Sequence, residues 1–178
     1  VSEADIVVGI AASGRTPYVL GGLQQAHDLG AKTVFLCCAP PPERFSRPSE
    51  MSFVDHWIAP QVGPEVVTGS TRLKAGTATK LVLNMLTTGA MIQTGRVYGN
   101  LMVGLQASNH KIKDRALRIV MEITGCQREQ AEVALVEAEG QTKVAIVCLV
   151  RGIDPHTAAA QLESQNGFLR AVLEGFLP

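Results

Sequence analysis

Apolar and polar positions fall in blocks along this 178-residue chain, and the blocks change character part-way. "IVVGIA" at 6–11 is a continuous apolar run bounded by turn-forming residues, which predicts a parallel strand covered on both faces. "PYVLGGLQQAHDLG" reads as the helix that follows, with Thr16 as N-cap, Pro17 in first position and Gly30 closing it. "KTVFLCCA" at 32–39 is β-rich again, so strand, helix and strand make a βαβ unit with a right-handed crossover. The proline-rich "PPPERFSRPSEMS" at 40–52 reads as a loop. "VDHWIAP" at 54–60 reads as a third strand, in which Trp57 packs rather than stacking on a ligand.

The stretch 63–95 begins polar and becomes apolar on nearly every side, predicting a helix buried in a core or in a subunit interface. Gly76 and Gly89 within it suggest close backbone approach, because glycine otherwise weakens a helix by about 1 kcal/mol. From 111 onward, charged helical segments stop at Gly125, Gly140, Gly152 and Gly167, and Asp154-Pro155 opens the last of them. This cadence predicts a compact bundle of short helices over 111–178, separate from an α/β part over 1–110. The helical segments are unlike one another, so their even spacing does not define a repeat protein.

Composition narrows the classes. Hydrophobic residues make up 46% and charged residues 18%, enough for a substantial core and against wholesale disorder. Sixteen basic and sixteen acidic residues give no net charge, which removes the electrostatic case for general nucleic-acid binding. No run reaches 18 apolar residues and no basic leader is visible, so a soluble protein without a membrane partner is expected. Cys37, Cys38, Cys126 and Cys148 show no regular spacing and are expected as buried, reduced thiols, with Cys37 and Cys38 on opposite faces of a strand. The four histidines have no metal-ligand spacing, and no metal site is expected.

Two loops carry the candidate chemistry. In an open α/β sheet, ligands collect where a strand's carboxyl end turns into a helix. There "AASGRTPY" supplies the hydroxyls of Ser13 and Thr16, close backbone approach at Gly14, and a helix N-terminus with unpaired N–H groups, a combination that suits a phosphate. Spacing alone equally allows Thr16 simply to cap the helix and Ser13 to shape the turn, since the loop is neither a Walker A sequence nor G-x-G-x-x-G. The second loop, "PEVVTGSTRLKAGTATK" at 64–80, places Ser70, Thr71, Arg72 and Lys74 before the apolar helix. The loop reads either as a solvated first turn or as a site for an anionic ligand, and cations, disfavoured at that end of a helix dipole, lean towards the ligand. Glu65 can orient a sugar hydroxyl, move a proton, or sit as an acid favourably placed near a helix start.

"GIAASGRTPYV", "GPEVVTGSTRLKAGTATKLVLNMLTTGAM" and "GRVYGNLMVGLQASN", in that order, resemble the N-acetylmuramic acid 6-phosphate etherases, over nearly the whole chain. The tail from "RALRIVMEITGC" onward is similar to that family's small helical bundle, itself like a ubiquitin-associated domain. The resemblance implies an α/β fold: a partial parallel-sheet sugar isomerase (SIS) domain followed by an all-α bundle. It also implies a cytoplasmic lyase of cell-wall recycling, acting as a homodimer without metal or organic cofactor. That enzyme cleaves a lactyl ether by elimination and hydration, giving N-acetylglucosamine 6-phosphate and D-lactate. Carried over by motif, Ser13, Gly14 and Thr16 match the phosphate loop, and Ser70, Thr71, Arg72 and Lys74 the second loop lining the pocket. Glu65 matches a substrate-binding glutamate beside it. No position matches the family's acid and base, which the resemblance places ahead of Val1, so these residues alone are expected to be inactive. The rival reading is a sugar-phosphate-sensing regulator of the glucokinase regulatory type, using the same loops without turnover.

Overall fold

The structure, a computed structural model, describes residues 1–39, 51–106 and 109–176. Positions 40–50 of the expected proline-rich loop lie outside the described residues. The chain divides into two compact units, Val1–Leu86 and Thr87–Pro178.

The first unit holds β1 (Ile6–Ile10), α1 (Pro17–Asp28), β2 (Lys32–Leu36), β3 (His56–Ile58) and the start of α2 (Lys74–Gln93). The strands form one parallel sheet in the order β1-β2-β3, with Ile6 opposite Lys32, Ile10 opposite Leu36 and Val34 opposite His56. All three expected strands form. Beyond their ends, pairing continues through single bonds from Ala11 N to Leu36 O, Cys37 N to Ile58 O and Cys38 N to Ala12 O. Alternation puts Val7, Ala11, Phe35 and Cys37 in one core with Leu23 of α1, with Trp57 packed edge-on to Phe35 at 5.0 Å.

The expectation that β1 is covered on both faces is corrected. Among the described residues β1 is an edge strand paired only with β2, and Ile6 and Ile10 are 69% and 41% exposed. α1 lies against the Gly9 face alone, so the other face of β1 keeps its apolar residues open. The end of α1 follows the expected pattern: Gly30 takes φ +85°, with Gly30 N bonded to His27 O and Ala31 N to Ala26 O.

α2 is not enclosed by the core of its own chain, one of the two settings expected for it. Only Ala75 and Val82 are buried, while Leu81, Met85, Leu86, Met91 and Ile92 are exposed. Among the described residues nothing lies within 4 Å of a side chain built at Gly89, and one at Gly76 meets only Thr71 O at 3.4 Å. A helix apolar all round needs partners on more than one face, and few of the described residues pack on α2.

In the second unit, β4 (Val97–Tyr98) and β5 (Leu101–Met102) pair antiparallel across Gly99 and Asn100, a hairpin absent from the sequence reading. α3 (His110–Thr124), α4 (Arg128–Glu137), α5 (Thr142–Arg151), α6 (Pro155–Ser164) and α7 (Leu169–Leu173) follow. α5 is the central element: Val144, Ala145, Ile146 and Val147 are buried, and it packs against α3, α4, α6 and α7. Val103 is fully buried in the same core and Tyr98, Leu101 and Leu105 pack on it. The compact division accordingly falls within α2. Asp154 caps α6 as expected, accepting from the Thr157 N–H at 3.0 Å. At two of the glycine stops the left-handed turn begins one residue early, on Glu139 and on Asn166, each with φ 52°.

Candidate functional site

The turn after β1 carries the first set of candidates. Gly14 adopts φ +69°, and a side chain built there lies 3.6 Å from Cys37 Cβ, so the turn sits over the carboxyl end of β2. The Gly14 N–H donates to Ala11 O at 2.8 Å and is thereby used within the turn. Thr16 stands at the N-cap position of α1 with extended backbone, but its hydroxyl makes no capping bond. Among the described residues the exposed Ser13 side chain has no hydrogen-bond partner either. Two hydroxyls beside a helix N-terminus thus remain free to bind an anion, whereas simple capping would have occupied Thr16.

The second set stands at the start of α2. Both oxygens of Glu65 accept backbone N–H groups, Oε2 from Lys74 and Oε1 from Ala75, each at 3.0 Å. The Ala75 and then the Lys74 hydrogen bonds hold its carboxyl below the usual glutamate range. Glu65 therefore serves as the anion at this helix terminus. Its geometry is that of a cap, which leaves little capacity for proton transfer. Lys74 Nζ donates to Pro64 O at 2.7 Å, closing the loop on itself. Ser70, Thr71 and Arg72 occupy the intervening turn, where Ser70 N bonds to Val67 O and Thr71 O accepts from Gly76 N. Their side chains have no partner among the described residues.

Cys38 joins the two sets. Its N–H donates to Ala12 O at 3.0 Å, while its thiol lies 3.5 Å from Ala75 O and 3.6 Å from Thr79 Oγ1. The turn at 12–16 and the first two turns of α2 thus flank one strand end, though 60 residues apart in sequence. Sequence reasoning missed this role for Cys38. The available signal was strand alternation, which sends Cys38 to the face opposite Cys37. All four cysteines are free thiols. Only Cys37 is buried, which pushes its thiol up; the other three are half-buried, a correction to the expectation that all are buried.

Among the described residues no group of histidine, cysteine or acidic side chains is arranged to hold a metal. No helix among them is long and apolar enough to cross a membrane.

No protein-family model matches the chain. Curated relatives named N-acetylmuramic acid 6-phosphate etherase match it throughout. The protein from Enterobacter sp. (strain 638) is 52% identical over 170 residues, covering 96% of this chain and 55% of the relative. That from Pasteurella multocida (strain Pm70) is 52% identical over 172 residues, covering 97% and 55%. That from Clostridium botulinum (strain Okra / Type B1) is 52% identical over 168 residues, covering 94% and 53%. The chain spans about half the length of the curated relatives it matches. Identity at about half of the aligned positions, sustained along nearly the whole chain in three separate genera, shows that this chain is homologous to the N-acetylmuramic acid 6-phosphate etherases over about half of their length.

Proposed function

We propose that residues 1–110 are the sugar-phosphate-holding part of an SIS domain, and that the protein they belong to cleaves the lactyl ether of N-acetylmuramic acid 6-phosphate. The observation that carries this is the convergence of two hydroxyl-bearing helix starts on the Cys37–Cys38 strand end. In this reading Ser13 and Thr16 bind the phosphate oxygens, and Gly14 allows the turn to close over Cys37. Ser70, Thr71 and Arg72 reach the same anion or the adjoining hydroxyls. Lys74 adds positive charge, and Glu65 positions this loop by holding the start of α2.

The reaction is a carbon–oxygen elimination. A base removes the proton beside the open-chain aldehyde, an acid protonates the departing lactate oxygen, and water then adds to the unsaturated sugar. This requires two groups of separated pKa at the reacting carbons. Glu65 is ionised and so no acid, and two backbone N–H groups engage its oxygens and lower its basicity, which makes it a poor base. We therefore expect residues 1–178 to bind the sugar phosphate without releasing lactate. The setting is peptidoglycan recycling in the cytoplasm, with residues 111–178 as a ubiquitin-associated-like bundle. The exposed apolar residues of α2, Leu81 and Met85 among them, form the contact of a homodimer.

The test is a titration of the ¹⁵N-labelled chain with N-acetylglucosamine 6-phosphate. Amide shifts at 13–16 and 70–72, weakened tenfold or more in Ser13→Ala/Thr16→Val, are expected. Shifts that avoid both segments refute the binding assignment. Lactate release by the 178-residue chain at the rate of a full-length relative refutes the expectation of inactivity.

A further inference from the structure

We propose that the Thr87–Pro178 unit carries an anion-binding cavity of its own, built on Arg96 and Lys143 and suited to a small phosphate-bearing molecule. The cavity measures about 620 Å³, within the range of about 300–1,000 Å³ typical of small-molecule sites. Its floor is a close crossing of two backbone segments. Gly95 and Gly167 both take left-handed φ values, and a side chain built at Gly95 lies 2.9 Å from Gly167 O. The ammonium of Lys143 is fixed over this crossing, donating to Gly167 O at 2.7 Å and to Gly95 O at 3.3 Å. Both acceptors are neutral, so one donor and the whole charge remain. Among the described residues no carboxylate lies within ion-pair distance of Lys143.

Arg96 supplies the second cation. Gly104 lies flat on its stem, with a built side chain 2.9 Å from Arg96 Cβ and 3.0 Å from Cγ, which restricts where the guanidinium can stand. That guanidinium has no hydrogen bond or ion pair among the described residues. Burial first, and the Arg96 charge second, push the Lys143 ammonium below the usual lysine range. Two cations near enough to disfavour each other, facing one cavity, gain most from a shared anion. A guanidinium fork beside an ammonium matches phosphate oxygens.

Glu163 lines the same cavity and pairs with neither cation, so the three charged groups sum to one positive charge. The remaining polar lining is amide: Gln106, Gln141 and Asn166 can each donate to and accept from hydroxyl groups. This favours a phosphate carried on a polyhydroxy body. Stapling of two backbone turns explains Lys143 alone. It does not explain why an unpaired arginine is held beside it.

The ¹⁵N-labelled chain is titrated separately with inorganic phosphate, glucose 6-phosphate and glucose. Phosphate is expected to shift the amides of Gly95, Arg96, Lys143 and Gly167 saturably. Glucose 6-phosphate should in addition move Gln106 and Asn166, and glucose should move none. Arg96→Gln, at an exposed position, is expected to weaken both phosphate responses at least tenfold with an unchanged melting curve. Ser13→Ala is expected to leave them unaltered. Shifts confined to 13–16 and 70–72, shifts in the cavity undiminished by Arg96→Gln, or no shift at all overturn the proposal. The first of these outcomes leaves the strand-end site standing, so the two assignments fail separately.

Discussion

Gly9 sets how closely α1 approaches β1, and the substitution Gly9→Ala tests this directly. A methyl built at Gly9 lies 2.7 and 2.8 Å from Leu23 Cδ1 and Cγ, and 2.8 Å from Val19 Cγ1. Carbon atoms pack at about 3.5–4.0 Å, so the methyl overlaps two side chains by roughly 1 Å. Leu23 is 1% exposed and packed in the sheet's core, so moving it disturbs its neighbours. Overpacking of this kind costs about 1–3 kcal/mol. Loss of glycine's excess freedom in the unfolded chain returns about 0.4–1 kcal/mol. The net expectation is a destabilisation of about 1–2 kcal/mol, read as a lower urea midpoint at unchanged slope. Leu23→Ala alone is expected to cost about 2–5 kcal/mol by leaving a cavity. In that background Gly9→Ala is expected to cost clearly less, because both Leu23 overlaps are gone and only Val19 Cγ1 still meets the methyl. Equal destabilisation in both backgrounds, or stabilisation of the unmutated chain, refutes the argument. Pushing α1 outward also moves Thr16, so the Ser13–Thr16 amides are expected to respond more weakly to the sugar phosphate in Gly9→Ala.

The Glu65 carboxyl is held below its ordinary value in the folded state, so its stabilising contribution is present above about pH 4.3 and is lost as pH falls through the folded value. Glu65→Gln is therefore expected to flatten the fall of the urea midpoint between neutral and acid pH; parallel pH profiles for the two proteins would contradict it. Glu139 occupies the left-handed region at the end of α4 with φ 52°, so Glu139→Gly is expected to raise stability by about 1 kcal/mol in thermal unfolding, and a loss would contradict the strain assigned there. Phe35 is fully buried and meets Trp57 edge-on, so Phe35→Ala is expected to lower stability by about 3–5 kcal/mol with a change in tryptophan emission. If α2 is a dimer contact, Met85→Asp yields a folded monomer in sedimentation, and an unchanged sedimentation coefficient removes α2 from that role.

Much of this was legible from local pattern. A short apolar run bounded by turn residues marked β1, and stretches rich in β-branched and aromatic residues marked β2 and β3. Thr16-Pro17 and Asp154-Pro155 marked two helix starts, because proline's fixed φ suits the first helical position. The β4–β5 hairpin went unread because two residues on each side of Gly99-Asn100 are too few to show alternation. Burial was harder still. "LVLNMLTTGAM" reads as interior, yet its helix lies largely exposed, since periodicity reports which residues are apolar and not whether anything packs on them.

The candidate site divides in the same way. The sequence by itself determined that hydroxyls, glycines and cations cluster ahead of two helices, because those residue types announce turns and helix starts locally. Only the tertiary structure decided that Cys38 holds those two starts at one strand end, that Glu65 is consumed as a cap, and that Lys143 and Arg96 line one cavity. These are meetings of segments tens of residues apart, and a chain's local pattern carries no record of which distant atoms its folding brings into contact.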